Sequence, residues 1–299
     1  MSHLYWQRGR VVLTNSSITG GDLSFTASIF KGDAEHGVDA TRATVTGVFF
    51  WNTVSLTPRT LLILEGVALG CLSDTERSWP QQGNLRINGL TYTSLAPADV
   101  EYRLRWLGRQ AQTPFYPQPY EQVMRVLRTS GHEKDAIRIA VAREDARRKY
   151  GGLGHWSRAW SWLLKVTIGY GYKPHRALVG ALVFILLGWL LFGFGYEQGL
   201  MIPTKDAEIR NPLAAAIVGA PAGYPSFNPL IYSLDTFLPI VDLDQASKWQ
   251  PNDHRTCSSF DRGVPCGLLL RWYLWVQILM GWLLTTLGVA AITGLVRRG

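Results

Sequence analysis

Two long apolar runs stand out from the alternation of polar and apolar residues. Residues 177–196 and residues 272–296 carry no formally charged side chain. A helix that crosses a bilayer needs about 20 mostly apolar residues. Both runs are bordered by cations, Arg176 before the first and Arg297 and Arg298 after the second, and many tryptophans cluster where the runs begin, as Trp272 and Trp275 do in the second and Trp156, Trp160 and Trp162 ahead of the first. The pattern predicts a two-helix transmembrane domain over residues 176–299, with an outer loop over residues 197–271.

The N-terminal third has a different rhythm. A short unit, apolar–x–Gly then apolar–x–aromatic, appears as Ile18-Thr19-Gly20 with Leu23-Ser24-Phe25. It returns as Val45-Thr46-Gly47 with Val48-Phe49-Phe50, and as Ile87-Asn88-Gly89 with Leu90-Thr91-Tyr92. Alternate residues of a strand face opposite sides, so each unit reads as a half-buried strand with a glycine corner. Leu13, Ile18 and Leu23 are spaced five apart, as are Val38, Ala43 and Val48. A recurring strand–corner unit predicts a β-solenoid, pentapeptide-repeat-like, over residues 1–97; a β-sandwich is the alternative. A chain that starts almost at once in a strand is what a longer solenoid without its first coils would show.

Residues 98–150 change to helical spacing. Pro119 suits a first turn, Tyr120, Val123, Met124 and Leu127 follow on one face, and Gly131 suits a helix end. A second helix puts Ala136, Ile137, Ala140 and Val141 on one side and Arg143, Arg147 and Arg148 further along. This helical hairpin is expected to cap the open end of the solenoid, whose strand edges would otherwise be exposed. Residues 151–175 form an amphipathic segment. Trp156 and Trp160 share a face, and Arg158 and Lys165 lie toward another side. That arrangement reads as an interfacial helix anchored by those four residues on a membrane surface, or as a soluble helix packed on the hairpin.

Charge orients the picture. Residues 138–176 hold nine Lys or Arg against two acids, whereas residues 197–271 hold six basic and eight acidic residues. The positive-inside rule then places both termini in the cytoplasm of a multi-pass protein of the cell inner membrane. No secretory signal pattern occupies residues 1–25. The net charge of +8 sits mostly beside the membrane, so lipid bilayer and anionic headgroups are the expected partners, and nucleic acid is not. Hydrophobic residues make up 47% of the chain, which excludes a disordered chain's composition, and three Cys are too few for an all-cysteine zinc site. Cys257 and Cys266 both lie in the outer loop and are the disulfide candidates; Cys71 is expected to be a buried small residue.

Motifs of chemistry are sparse. Gly151, Gly152 and Gly154 lack dinucleotide-binding spacing, no C-x-x-C occurs, His132-Glu133 lacks a second His, and no G-x-S-x-G elbow is present. No catalytic residue, metal site or cofactor is assigned, and the reading leans away from an enzyme. Thr167-Ile168-Gly169-Tyr170-Gly171 has the letters of a potassium filter but precedes the first apolar run, where a glycine turn is expected.

Several segments carry a resemblance: Trp79-Pro80, residues 85–92, residues 117–122, Gly131-His132-Glu133, residues 169–174, residues 237–243 and Thr293-Gly294-Leu295. Together they resemble a family of uncharacterised bacterial membrane proteins with a pentapeptide-repeat-like solenoid, a helical hairpin and a C-terminal pair of spans. Its relatives are sometimes labelled membrane-associated oxidoreductases. Residues 230–244 (LIYSLDTFLPIVDLD) also loosely resemble the pore helix and filter of two-span pore-loop ion channels. That resemblance makes Ser233, Thr236, Pro239, Asp242 and Asp244 pore-loop candidates. The stretch lacks glycine and contains Pro239, unlike a potassium filter, whose alternating backbone requires glycine.

Within the apolar runs Gln277, Thr285, Thr286 and Thr293 are polar, and Gly281 and Gly288 are seven apart. Small residues let helices approach closely. Gln277, Thr285 and Thr286 either pack the two helices within one chain or face a shared axis in a homo-oligomer. Two functions remain open: a channel-like oligomeric cation pore, or a membrane-tethered scaffold whose solenoid binds an unknown protein partner. A membrane-associated oxidoreductase ranks last.

Overall fold

Stacked parallel strands build the N-terminal part of the chain. The structure, a computed structural model, describes residues 5–7, 10–30, 37–204, 224–253, 255 and 265–294. It divides into two units, residues 1–161 and residues 162–299. The fold is mixed: an N-terminal β-solenoid of about three turns, then helices that include two long apolar ones.

In the first unit β1 (Tyr5–Gln7) pairs antiparallel with β2 (Arg10–Val12). Parallel pairing then joins β2 to β5 (Gly37–Asp39), β7 (Leu61–Ile63) and β9 (Leu85–Arg86). A second sheet stacks β3 (Ser17–Ile18) and β4 (Leu23–Ser24) on β6 (Thr44–Trp51), followed by β8 (Ala68–Asp74) and β10 (Thr91–Ala96). The registers align Val11, Val38, Leu62 and Leu85 in one column, and Leu23, Phe49, Leu72 and Leu95 in another. Each apolar side chain therefore rests on its equivalent one coil away, about 4.8 Å distant.

Burial follows the expected five-residue interval in the later coils, where Leu62, Val67 and Leu72 are buried, as are Leu85, Leu90 and Leu95. In the preceding coil the interval breaks. A bulge between Val45 and Val48 shifts the register, so Phe49 is buried and Val48 is only half-buried. Cys71, expected inside, is a half-exposed free thiol on β8.

One corner of the solenoid shows how the stack is closed. Asn15, Arg42, Gly66 and Gly89 all have positive φ, from 57° to 78°. The first three donate their N–H to the next coil, to Thr41 O, Glu65 O and Asn88 O, each at 2.9 Å. Gly89 has no next coil and donates instead to Gln118 Oε1 at 2.8 Å. A Cβ at Gly89 would stand 3.1 Å from Gly66 N, so glycine suits both the conformation and the space.

Gln118 opens helix α2 (Gln118–Thr129), which follows α1 (Val100–Gly108) and precedes α3 (Glu133–Tyr150). Gln118 Nε2 donates to Leu90 O at 2.9 Å, and Gln122, one turn on, donates to Tyr92 O at 2.6 Å. The two side-chain amides thus take the place of the missing strand. Residues 109–111 do the same for the other sheet, where Gly83 donates to Arg109 O and Ala111 to Leu85 O. The hairpin face is shifted from expectation: Ala136, Ile139 and Ala140 are buried, while Ile137 and Val141 are only half-buried. Gly131 ends α2 as expected, with φ +80° and a bond from His132 N to Leu127 O at 2.8 Å.

Helix α1 was not marked by sequence spacing. Asp99 caps it by accepting from Tyr102 N at 2.8 Å. Its Arg103 reaches Asp74 at the end of β8 through two hydrogen bonds of 2.9 and 2.8 Å, with both side chains fully buried. Arg103 also donates to Pro97 O and lies over the Tyr102 and Trp106 rings. Burial pushes the Asp74 carboxyl up from its ordinary range, and the Arg103 guanidinium pulls against it. Alongside, the rings of Phe25, Trp51, Trp79 and Trp106 form a row with centroids 5.3 to 6.4 Å apart.

A buried pair is costly to halve, because the remaining charge has no partner. Arg103→Met should destabilise the first unit by about 3–5 kcal/mol, and adding Asp74→Leu should recover most of that loss. Denaturant unfolding of the full chain, followed by tryptophan fluorescence, reads both. A single-variant loss no larger than that of a surface pair, about 1 kcal/mol, would show that the pair does not anchor α1.

Candidate functional site

Glycines let the two long helices of the second unit meet. Helix α5 (His175–Glu197) and helix α7 (Cys266–Ile292) are both long and apolar enough to cross a membrane. Only 17% and 28% of their most apolar stretches are buried, unlike a core helix of a soluble protein, which points to membrane association. Gly195 meets Leu270, Gly188 meets Gln277, Gly180 meets Leu284, and Ala177 meets Gly288, so the helices run antiparallel. Between them lies the short helix α6 (Pro229–Phe237), packed on both.

Helix α6 starts where its sequence dictates. Asn228 caps it, its Oδ1 accepting from Leu230 N and Ile231 N at 3.0 and 3.1 Å, and Pro229 suits the first turn. At this end Phe227 stacks on Tyr196 with centroids 4.8 Å apart. At the other end Phe237 stacks on Phe184 at 6.4 Å. Tyr196 and Phe184 are twelve residues apart on α5, a rise of about 18 Å. The Phe237 carbonyl lies against Gly281, where a Cβ would stand only 1.9 Å away.

The chain then turns back. Asp235, largely buried, accepts from Leu243 N, Gln245 N and Ala246 N at 2.8, 3.0 and 2.7 Å. Gln245 in turn accepts from Asn228 N at 3.2 Å and donates to Ser226 O at 3.3 Å. Trp249 packs on Phe227 and Tyr196, and β12 (Trp249–Pro251) pairs with β11 (Met201–Pro203) after α5. Entry and exit therefore lie at the same end of the helix pair, which makes residues 229–244 a re-entrant segment.

Gln277 fixes its depth. Fully buried on α7, its Nε2 donates to Ser233 O at 2.7 Å, Ser233 Oγ at 2.9 Å and Thr236 Oγ1 at 3.1 Å. Ser233 Oγ donates to Ile185 O at 2.7 Å, so one cluster joins α5, α6 and α7. Among the described residues Gln277 Oε1 has no conventional partner, and it points at Gly188, where a Cβ would be 2.5 Å away. Tyr273 adds a bond from its hydroxyl to Phe184 O at 3.0 Å.

The structure thus brings together Ser233, Thr236 and Gln277, expected on separate grounds. It separates Gln277 from Thr285, which is half-buried, and from Thr286, which is exposed and bonded to Trp282 O. Pro239 lies half-buried in the return leg, and Ile240 beside it is 86% exposed. Asp242 and Asp244 are exposed at the end of that leg. Asp242 accepts from Asp244 N at 2.9 Å, while Asp244, with φ +57°, accepts from Ser247 Oγ at 2.8 Å and lies 3.6 Å from Lys248 Nζ. Cys266 begins α7, and Cys257 lies outside the described residues. On α4 (His155–Ile168) Trp156, Arg158 and Trp160 are exposed and Lys165 is half-buried. The filter-like letters at residues 167–171 form the end of α4 and a turn, with Gly169, Tyr170 and Gly171 all at positive φ.

Sequence reading passed over two features. Asp235 is the lone acid in the middle of an apolar stretch, which was its signal. Gly180, Gly188 and Gly195 recur at near-heptad intervals, the signal of a packing face. Among the described residues no group of three or more His, Cys, Asp or Glu side chains is placed to hold a metal ion. Comparison of the chain with protein-family models, curated proteins and solved structures finds no match.

Hydrogen bonds to a charged acceptor contribute about 1.5–3 kcal/mol each. Asp235→Ala should therefore speed amide exchange at Leu243, Gln245 and Ala246 by about tenfold or more, with Asp235→Asn intermediate. Exchange at those amides that stays at the native rate would mean the carboxylate does not hold the return leg.

Proposed function

We propose that the chain is a multi-pass inner-membrane protein whose re-entrant segment, repeated around an axis in a homo-oligomer, lines a cation pore. The observation that carries this reading is the nine-residue helix α6 held between two long apolar helices and followed by a return leg that is neither helix nor strand. Irregular backbone at membrane depth is tolerated only against protein or water, because lipid tails satisfy no amide or carbonyl. In a single copy Ile240 and Val241 of that leg face outward. Further copies, with water between them, supply what one chain lacks. Asp242 and Asp244 would then form carboxylate rings at the mouth, which concentrate cations.

The nine-to-two excess of basic residues over residues 138–176 supports cytoplasmic termini and an outer position for the re-entrant mouth. The five-residue recurrence of buried positions supports reading the solenoid as pentapeptide-repeat-like. A second reading, a membrane-tethered scaffold without transport, is favoured by the local engagement of Asp244 with Ser247 and Lys248, the pattern of an ordinary loop acid. No described feature supports redox chemistry.

Flux separates the two readings. Purified protein in liposomes should pass cations, and Asp242→Asn with Asp244→Asn should lower the flux and weaken its preference over anions, most at low salt, where screening is least. Absence of flux from the unsubstituted protein would leave the scaffold. Orientation has its own check in intact cells: a membrane-impermeant thiol reagent should label Ala246→Cys and spare Ser130→Cys, and the reverse pattern would invert the topology.

A further inference from the structure

The exposed tryptophans of α4 belong to neither the re-entrant site nor the solenoid, and their surroundings identify what covers them. The C-terminal turns of α4 are fixed: Ile168, fully buried, and Leu164 pack against Ala177, near the start of α5, and Leu287 and Ala291, near the end of α7. A turn of Gly169, Tyr170 and Gly171, with Tyr170 buried, then leads through Pro174 into α5. Helix α4 therefore leaves the helix pair at the level where the apolar side chains of α5 begin. In a bilayer that level is the headgroup boundary.

On a helical projection Trp156, Ala159, Trp160, Trp162, Leu163 and Val166 share one broad face, and Ser157, Arg158, Ser161 and Lys165 share the opposite one. Trp156 is 90% exposed, and Trp160, Trp162 and Val166 are more than half exposed. Among the described residues this face is largely uncovered, with Leu163 alone half-buried. No acidic residue occurs between Asp145 and Glu197, a segment with seven Lys or Arg of which Arg147 and Arg148 pair with Glu144 and Asp145, so the sequence flanking the helix carries excess positive charge.

We propose that α4 is a docking surface for anionic phospholipid, with its tryptophan face sunk into the headgroup boundary and Arg158 and Lys165 turned to lipid phosphates. Tryptophan's apolar ring and N–H suit that boundary, and anionic lipid matches the charge. The proposal rests on reading α5 and α7 as membrane-crossing.

The test uses the full chain in vesicles of neutral phosphatidylcholine, with or without phosphatidylglycerol. An environment-sensitive fluorescent amino acid is placed at Trp160, at Ser157 or at Leu186 on α5. At Trp160 emission should shift to the blue, be quenched by spin-labelled lipid and resist aqueous iodide, and the shift should grow with phosphatidylglycerol. At Ser157 iodide should quench. Arg158→Gln with Lys165→Gln should abolish the dependence on phosphatidylglycerol and retain part of the blue shift. Iodide quenching at Trp160 in both vesicles, with Leu186 still quenched by lipid, would overturn the proposal and leave a protein partner for the tryptophan face. Lipid contact at Trp160 that ignores phosphatidylglycerol would overturn its anionic part. Failure of lipid to quench Leu186 would remove the membrane reading beneath it.

Discussion

A single buried amide sets the geometry of the second unit. Gln277 Nε2 reaches a carbonyl and two hydroxyls of α6, and Ser233 passes the connection to α5. In an apolar setting each of these groups would be costly to leave unpaired. The short helix α6 therefore settles where the two N–H groups of the amide reach all three acceptors, one hydrogen being shared. The glycines are the complement of this arrangement. Gly188 leaves room for the amide, and Gly281 leaves room for the Phe237 carbonyl. A side chain at either position would push the short helix outward and break the cluster. The close approach of Gly188 also lets its Cα–H face Gln277 Oε1, a weak contact common at helix–helix interfaces.

The solenoid answers a related problem by a different device. Stacked strands satisfy each coil with the next, so the last coil has backbone groups without a neighbour. Gln118 and Gln122 project amides from one face of α2 and end the stack without another strand. The Arg103–Asp74 pair then ties α1 to the same end. Both devices put a side-chain group where backbone order runs out, as Asp235 does for the return leg.

The sequence was most legible where a periodicity is long. The two apolar runs and the helical spacing at residues 119–127 correspond to observed elements, and so do the strand–corner units at Gly20 and Gly89, whereas Gly47, expected as a corner, lies within the continuous strand β6. It was least legible where one residue decides the outcome. The bulge that buries Phe49 in place of Val48 lies in the pairing of β6 with β8, and Gly47 within it packs closely on Gly21 and Asp22, contacts that no local pattern encodes. Helix α1 is short, and its main anchor is a residue of β8, 29 positions earlier. Ser233, Thr236 and Gln277 were visible as polar residues in apolar runs, but their meeting depends on how deep α6 sits. Asp235 was hidden because a lone acid in an apolar stretch looks the same whether it clasps a loop or meets solvent.

The length of α6 carries a consequence for how the protein is made. Nine helical residues extend about 14 Å, less than half of a bilayer's hydrocarbon core. Such a segment is too short to be inserted by the criterion that admits α5 and α7. It also precedes Gln277 by at least 40 residues, so it emerges from the ribosome before its partner does. Its seat forms only when α7 has arrived and turned Gln277 inward. On the membrane reading proposed above, biogenesis of this unit includes a waiting stage, in which α6 stays in the aqueous phase until the second long helix is in place.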